Sequence, residues 1–462
     1  MHQFPDGIDP YVMANKPESG LLWGISNKPL AAAGSGDTNM QAYNFRVCLS
    51  DDPANQMPIT RPENYDSSPY ELLLRYVEKV SATDLKPFLK MNRIPNHKVD
   101  INNNGPFSTD MIGMNYNYPN ADYDTRKSIM KQHEDYTKGL LYFIGHDARM
   151  PEHLRTQMLA WGYPKDEYLE NNYWSPQIYI REARRMVGEY VMTEADCLGK
   201  KMVDDGIGKA AYMMDSHNAQ RVVVNGMVKN EGDVQVKGFD PYPVSYRSIT
   251  PKRKECDNLL VPVCLSASHI AYGSIRMEPV FMVLAQAAAL AACQAIDKKT
   301  NVQGISIRAL QHEISDNPLM DNGPIEMVVD NDDLKNVIKV GGWLRQSTGA
   351  YGLSYLIDSL SNRAQIRFVP LIKKAGSYQV YVYYPRIKNM SFVNSVRLFD
   401  GKKMATKVVH FSKEILQGES SGEWVSLGVY KLPVGKKAFV EISKEKIGVP
   451  TVADAALFVP IP

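Results

Sequence analysis

The sequence predicts an α+β region over residues 1–322 followed by an all-β sandwich over 323–462, and three observations carry that expectation. A chain of 462 residues exceeds one ordinary core, so at least two domains are expected. Up to about residue 320 the apolar residues recur at helical spacing or in short runs, whereas beyond it they alternate. Turn residues then punctuate the alternation at steady intervals, as in SYQVYVYYP, GEWVSLGVYKLPVGKKAFVEIS and AALFVPIP, which is the pattern of a sandwich.

In chain order, residues 1–66 are rich in Gly, Pro, Asn and Asp and predict irregular cover with a short strand near 41–49. SPYELLLRYVEKV (68–80) and DYDTRKSIMKQHEDYTKGLLYFIGHD (122–147) predict amphipathic helices, the second through Ile129, Tyr136, Leu140 and Phe143. INNNGPFSTDMIGMNYNYP (101–119) predicts a long functional loop. IYIREARRMVGEYVMTEAD (178–196) predicts a strand with a second extended piece, and NLLVPVCL (258–265) a buried strand. HIAYGSIRMEPVFMVLAQAAALAACQAI (269–296) then predicts a glycine turn feeding a helix with Glu278 in its first turn and Pro279 at N1. Val280–Ile296 is short for a membrane span and carries Gln286 and Gln294, so a buried core helix is expected.

Composition excludes several classes. With 53 basic against 51 acidic residues and a net charge of +2, no clustered basic face for nucleic acid is indicated. Five scattered cysteines give neither a zinc knuckle nor a disulfide framework. No metal site, Ser/His/Asp order or Cys–His pairing stands out. MHQFPDGIDPYVMANKPESG is not a signal peptide, so a periplasmic or extracellular location would depend on a longer precursor. Oligomeric state is left open.

A helix N-terminus offers unpaired N–H groups and partial positive charge to an anion or an electron-rich ring, although a capped core helix needs no ligand at all. NLLVPVCLSASHIAYGSIRMEPVFMVLAQAAALAA resembles the C-terminal flavin-contacting segment of a bacterial family of FAD-dependent oxidoreductases. QAYNFRVCLSDDP, INNNGPFSTDMIG, REARRMVGEYVMTEADC, MDSHN and YPVSYRSITPKRKECDNLL resemble successive blocks of the same family. The resemblance implies FAD as cofactor, with Ser268, Gly273, Ser274, Ile275, Arg276, Met277 and Glu278 facing the flavin. Arg276 would add positive charge there, or else pair with Glu278 or Asp215. His217 and His269 are the candidate proton carriers, with a satisfied structural imidazole as the plain alternative. Asn103, Asn104, Arg181 and Asp215 are candidate contacts to a small-molecule or carbohydrate substrate.

The family's opening G-x-G-x-x-G turn has no counterpart at the start of this sequence. GSGDTN (34–39) lacks the third glycine, and GIGKAA (206–211) follows charged residues rather than a buried strand. The chain is therefore expected to be the C-terminal portion of such an enzyme and not to retain FAD alone. VVDND, GGWLRQSTGAYGLSYLI, AGSYQVYVYYP and VADAALFVP resemble the golvesin/xanthan-lyase type of C-terminal module. Two alternatives stay open: a non-catalytic carbohydrate-binding protein built on an oxidoreductase remnant, and a polysaccharide lyase.

Overall fold

In a computed structural model the chain divides into two compact units, Met1–Leu310 and Gln311–Pro462. The structure describes residues 2–32, 34–318, 325–346, 350–352, 354–358, 364–383, 385, 393–410, 416–417, 424–445 and 449–461. The expected boundary at 322/323 lies outside the described residues, as does Tyr384.

The first unit is built on strands β1 (Val47–Ser50) and β2 (Gln56–Pro58), helix α1 (Glu71–Val80), strands β3 (Leu89–Ile94) and β4 (Lys98–Asn103), helices α2 (Tyr123–His146) and α3 (Glu152–Leu159), and β5 (Gly162–Pro164). The five strands form one sheet in the order β2-β5-β1-β4-β3. Its register sets Val47 opposite Ile101 and Leu49 opposite Val99, all buried. Helix α2 starts where the Asp122 carboxylate accepts from Thr125 N–H, and it buries the face of Ile129, Tyr136, Leu140, Phe143 and Ile144. Phe143 has no exposure, so Phe143→Ala would cost about 3–5 kcal/mol.

The rest of the unit is a short helix α4 (Glu194–Cys197), strands β6 (Gly206–Ala210) to β11 (Tyr242–Ser245), and helices α5 (His269–Ile275) and α6 (Glu278–Asp297), while helix α7 (Ile307–Asp316) runs across the boundary at 310/311. Here β7 is Met214–Asp215, β8 Gln220–Val224, β9 Met227–Glu231 and β10 Gln235–Val236. β8 and β9 pair with Val224 opposite Met227, leaving Asn225-Gly226 as a two-residue loop. Both loop residues have positive φ, 50° and 73°, which Asn and Gly tolerate and which matches the twist of the hairpin.

Four expectations differ from the structure. Residues 178–192 form only isolated bridges, Asn44 with Tyr179 and Met192 with Ala267, because the segment 264–268 beside them bonds only at Met186 and Met192 and no continuous ladder results. The run 258–265 is irregular, with Leu259 and Val263 about half exposed. The long loop predicted at 101–119 begins as the last residues of β4. The anticipated glycine turn is the short helix α5, in which Gly273 lies against the Asp215 backbone so closely that a Cβ would sit 2.8 Å from its carbonyl oxygen. Helix α6 buries one face through Leu284, Ala287, Ala288 and Ala291, yet Met282 and Ile296 are 72% and 75% exposed. Its 20 residues are long and apolar enough to cross a membrane by length and composition alone.

The second unit contains β12 (Met327–Asp330), β13 (Val337–Val340), β14 (Trp343–Gln346), β15 (Tyr355–Asp358), β16 (Gln365–Phe368) and β17 (Gly376–Tyr383). It continues with β18 (Val393–Phe399), β19 (Met404–His410), β20 (Leu416–Gln417), β21 (Trp424–Leu432), β22 (Phe439–Lys444), β23 (Val452–Ala453) and β24 (Ala455–Pro460). Two five-stranded sheets, β12-β24-β17-β21-β20 and β13-β16-β22-β18-β19, carry the core, with β14-β15-β23 as a third ladder. Tyr378, Val380 and Val382 are fully buried, while Gln379 and Tyr381 between them are half-buried, which is the period-2 signature.

Candidate functional site

A cleft of about 610 Å³ opens in the first unit between loop 34–41, the extended segment 182–185, the ends of β8 and β9, and the first turn of α5. Two histidines line it, His217 and His269, and each is held by a buried carboxylate.

His217 follows β7, and its backbone N–H donates to Gln41 Oε1 at 3.0 Å. Its Nδ1 lies 2.6 Å from Asp110 Oδ2, and a carboxylate only accepts, so Nδ1 carries the proton and Nε2 the lone pair. Burial holds the imidazole below its ordinary pKa, helped by Arg181, against the pull of Asp110. Burial pushes the Asp110 carboxyl up, but Arg181 and His217 together keep it below the usual carboxylate range. Arg181 Nη2 is 3.1 Å from Asp110 Oδ1, and its Nη1 donates to Ala42 O at 2.7 Å. The result is a neutral imidazole on a charged acid on a buried guanidinium.

His269 sits at the start of α5, whose N-cap Ser268 accepts from Ala271 N–H. His269 Nδ1 donates to Glu182 Oε2 at 2.9 Å, and Arg185 Nη1 reaches the same oxygen at 2.9 Å. Burial would raise the Glu182 carboxyl, yet the hydrogen bond and charge of His269 and the charge of Arg185 hold it low. Glu231 Oε2 also belongs to a residue lining the cleft and is buried without a hydrogen-bond partner.

The expected flavin-facing residues are placed as follows. Ser274 accepts from Tyr242 Oη at 2.7 Å and donates to the Tyr212 carbonyl, and Ile275 is fully buried. Arg276 Nη2 pairs with Asp215 Oδ2 at 3.1 Å, its Nη1 is 3.4 Å from the Tyr179 hydroxyl, and its Nε has no partner. Met277 is the N-cap of α6, and Glu278 is exposed in its first turn. Ser268 and Gly273–Glu278 do not line the 610 Å³ cleft. Asp215 links the two groups, because its Oδ2 is also 3.9 Å from His217 Nε2.

Asn103 is buried at the end of β4, and Asn104 donates from its backbone N–H to the Ser108 hydroxyl and from Nδ2 to the Lys86 carbonyl, bracing the turn at 104–108; neither lines the cleft. Sequence reasoning named the two imidazoles but not their acids, Asp110 and Glu182. Both acids stand in the stretches given above, Glu182 in REARRMVGEYVMTEADC and Asp110 in INNNGPFSTDMIG, but Asp110 is 107 residues from His217 and only the fold joins them.

The flavin ring and the ADP half of FAD would place different demands on these residues. The cleft supplies polar groups and volume for a planar polar ring. Among the described residues every ladder between named strands in this unit is antiparallel, and the parallel pairings are the isolated bridges Ile25–Arg221 and Met192–Ala267, so no strand–helix–strand crossover joins parallel strands there. GIGKA is strand β6 rather than a phosphate turn. The described residues thus offer a polar cleft of ring-sized volume and, among the named strands, no parallel crossover of the kind that grips a pyrophosphate.

Residues 8–314 match the family described as FAD dependent oxidoreductase, and residues 327–460 match the Golvesin C-terminal domain. A xanthan lyase of Bacillus sp. (strain GL1) is 31% identical over 142 residues, which are 29% of this chain and 15% of that one. The solved Paenibacillus xanthan lyase is 29% identical over 30% of this chain and 13% of its own, with a TM-score of 0.26. A family 35 carbohydrate binding module from Clostridium thermocellum is 14% identical over 29% of this chain and 98% of its own, with a TM-score of 0.21. The chain thus spans only 15% of the length of the Bacillus xanthan lyase it matches.

Proposed function

We propose, from the premise that this chain belongs to the FAD dependent oxidoreductase family, that it forms the substrate-facing part of an enzyme oxidising a hydroxyl group of a carbohydrate-related substrate. The observation that carries the reading is the fixed tautomer of His217: Asp110 takes the Nδ1–H, so Nε2 is left to accept a proton. FAD, when bound, supplies the hydride acceptor. His217 Nε2 takes the hydroxyl proton, the charge of Asp110 stabilises the imidazolium so formed, and Arg181 keeps Asp110 ionised. His269, on Glu182, is a second hydrogen-bonding group for the substrate. The buried positive charge of Arg276, shared with Asp215, favours an electron-rich ring in its neighbourhood.

The nucleotide half of the cofactor is held, in this proposal, by polypeptide outside these 462 residues. The golvesin-type sandwich holds glycan outside the cytoplasm, supported by the match over 327–460 and by Tyr351, 46% exposed, against Tyr383 and Trp424 at 5.5 and 5.2 Å between ring centroids.

The first test is titration of the chain with FAD followed by flavin fluorescence. Little quenching is expected, and a tight stoichiometric complex overturns the assignment of the nucleotide half. The second is dye reduction by flavin-loaded protein, obtained if necessary by co-expression with the coding sequence directly upstream. Carbohydrate-dependent reduction should fall by about 10²–10⁴ in His217→Asn. An unsaturated product from an anionic polysaccharide, without dye reduction, would replace the oxidoreductase reading with the lyase.

A further inference from the structure

Helix α6 buries Leu284, Ala287, Ala288 and Ala291 on one side and leaves an equally apolar side in water. At about 3.6 residues per turn, Met282, Ala285, Ala289, Cys293 and Ile296 fall within about 40° of one line along the helix, and all five are exposed. The largest two stand at its ends, Met282 72% and Ile296 75% exposed, with small residues between them. A surface helix ordinarily shows water a polar face, so a continuous apolar line of this length marks a surface that meets a partner.

The two ends of the line carry opposite charge. Glu278 opens α6 on the same line, and Lys298, the C-cap, and Lys299 close it. All three are exposed, and among the described residues none of them is in an ion pair, although Arg46 feels Glu278 through space. Asp297 lies about 80° round the helix from the line and so points away from it. The pattern is centred on Ala289 and reads alike from either end, Met282 answering Ile296 and Ala285 answering Cys293. Antiparallel packing on a second copy about a two-fold axis at Ala289 therefore sets each Met282 against the other copy's Ile296. It also brings each Glu278 level with the other copy's Lys298–Lys299 turn and opposes the two helix dipoles, whereas parallel packing stacks Glu278 on Glu278. The small residues at the centre let the two backbones approach closely.

We propose that the exposed face of α6 is the two-fold contact of a homodimer of this chain. Complementarity of the line with itself, in size and in charge, is the condition an isologous contact must meet. A helix lying on a membrane surface would set basic residues along a polar face, whereas the face of α6 opposite the line is buried and apolar and its N-terminal flank is Glu278. One 20-residue helix, about 30 Å long, gives a contact at the small end of specific interfaces, so a Kd of about 1–100 µM is expected. The contact depends on neither the flavin nor the glycan reading.

Sedimentation equilibrium of the full chain between about 1 and 500 µM should show a monomer–dimer equilibrium. Ala289→Arg places a charge on the axis against its own copy and should weaken the dimer by about 100-fold or more. Glu278→Lys alone, and Lys298→Glu with Lys299→Glu, should each weaken it about tenfold, and the three changes in one chain should restore it to within about threefold. All four positions are exposed, so the fold is retained, which circular dichroism checks. A monomer throughout, a dimer unchanged by Ala289→Arg, charge changes without effect, or no rescue in the combined variant would each overturn the proposal. So would a monomer that floats with phosphatidylcholine vesicles, which would make the face a membrane contact.

Discussion

The two units bury carboxylates in ion pairs of opposite design. In the first unit Asp110 and its partner Arg181 are both inside, with side chains 7% and 0% exposed. In the sandwich Glu441 is 1% exposed, but its partners Arg367 and Arg397 keep 37% and 41% of their side chains in water. The chemistry of the pair is the same, and what differs is where the survivor goes when one member is lost. A surviving Arg181 has no path to solvent, whereas Arg367 and Arg397 can rehydrate. Pre-organisation at the histidine cleft thus comes with a stability risk that the sandwich avoids.

The sharpest way to break this comparison is Asp110→Ala. It strands Arg181 and removes the acceptor for His217, so a loss of about 3–5 kcal/mol is expected in urea unfolding of the first unit. A loss under about 1 kcal/mol would mean that water already reaches the guanidinium, and the comparison would collapse.

Next in size is a pH effect in the sandwich. Burial pushes the Asp454 carboxyl up to about 7, with Asp330 and Asp332 adding repulsion against one hydrogen bond from Tyr351 N–H. A folded-state value above the unfolded one means the native state holds the extra proton, so stability is greatest at low pH and falls between about pH 4 and 7. The ceiling is about 4 kcal/mol, from roughly 1.4 kcal/mol for each tenfold change. Thermal unfolding of the sandwich across that range should show the decline, and Asp454→Asn should flatten it.

Glu441→Gln should cost only about 1–2 kcal/mol, because both arginines can turn to water. Comparable losses in Glu441→Gln and Asp110→Ala would show that the buried acid, not the fate of its partner, sets the cost.

How much of this was legible in the sequence follows from the range of the interactions. Helices α1 and α2 and the strands of the sandwich are written in local periodicity, and residues such as Ile129, Tyr136 and Val380 declare their faces directly. The segments 178–192 and 258–265 are not strands because an apolar or alternating run needs a continuous ladder, and the few backbone bonds between 186–192 and 264–268 do not make one. His217 and His269 were visible as residue types in motifs, and the resemblance to the oxidoreductase family drew attention to both. Their acids lie in motifs as well, but the pairing is not readable, since Asp110 meets His217 across 107 residues and Glu182 meets His269 across 87.

The smallest effect sharpens the comparison most finely. His269→Gln removes one of two donors from Glu182, which is as buried as Asp110, so burial of the acid alone would predict a large loss. Arg185 remains on the same oxygen, however, and His269 itself is 39% exposed, so neither survivor is left uncompensated. The expected change is therefore below about 1 kcal/mol in urea unfolding, several-fold less than for Asp110→Ala. Equal losses would mean that His269 is as deeply committed to the fold as His217, and the idea that one imidazole is locked for proton transfer while the other stays free to meet a ligand would fail.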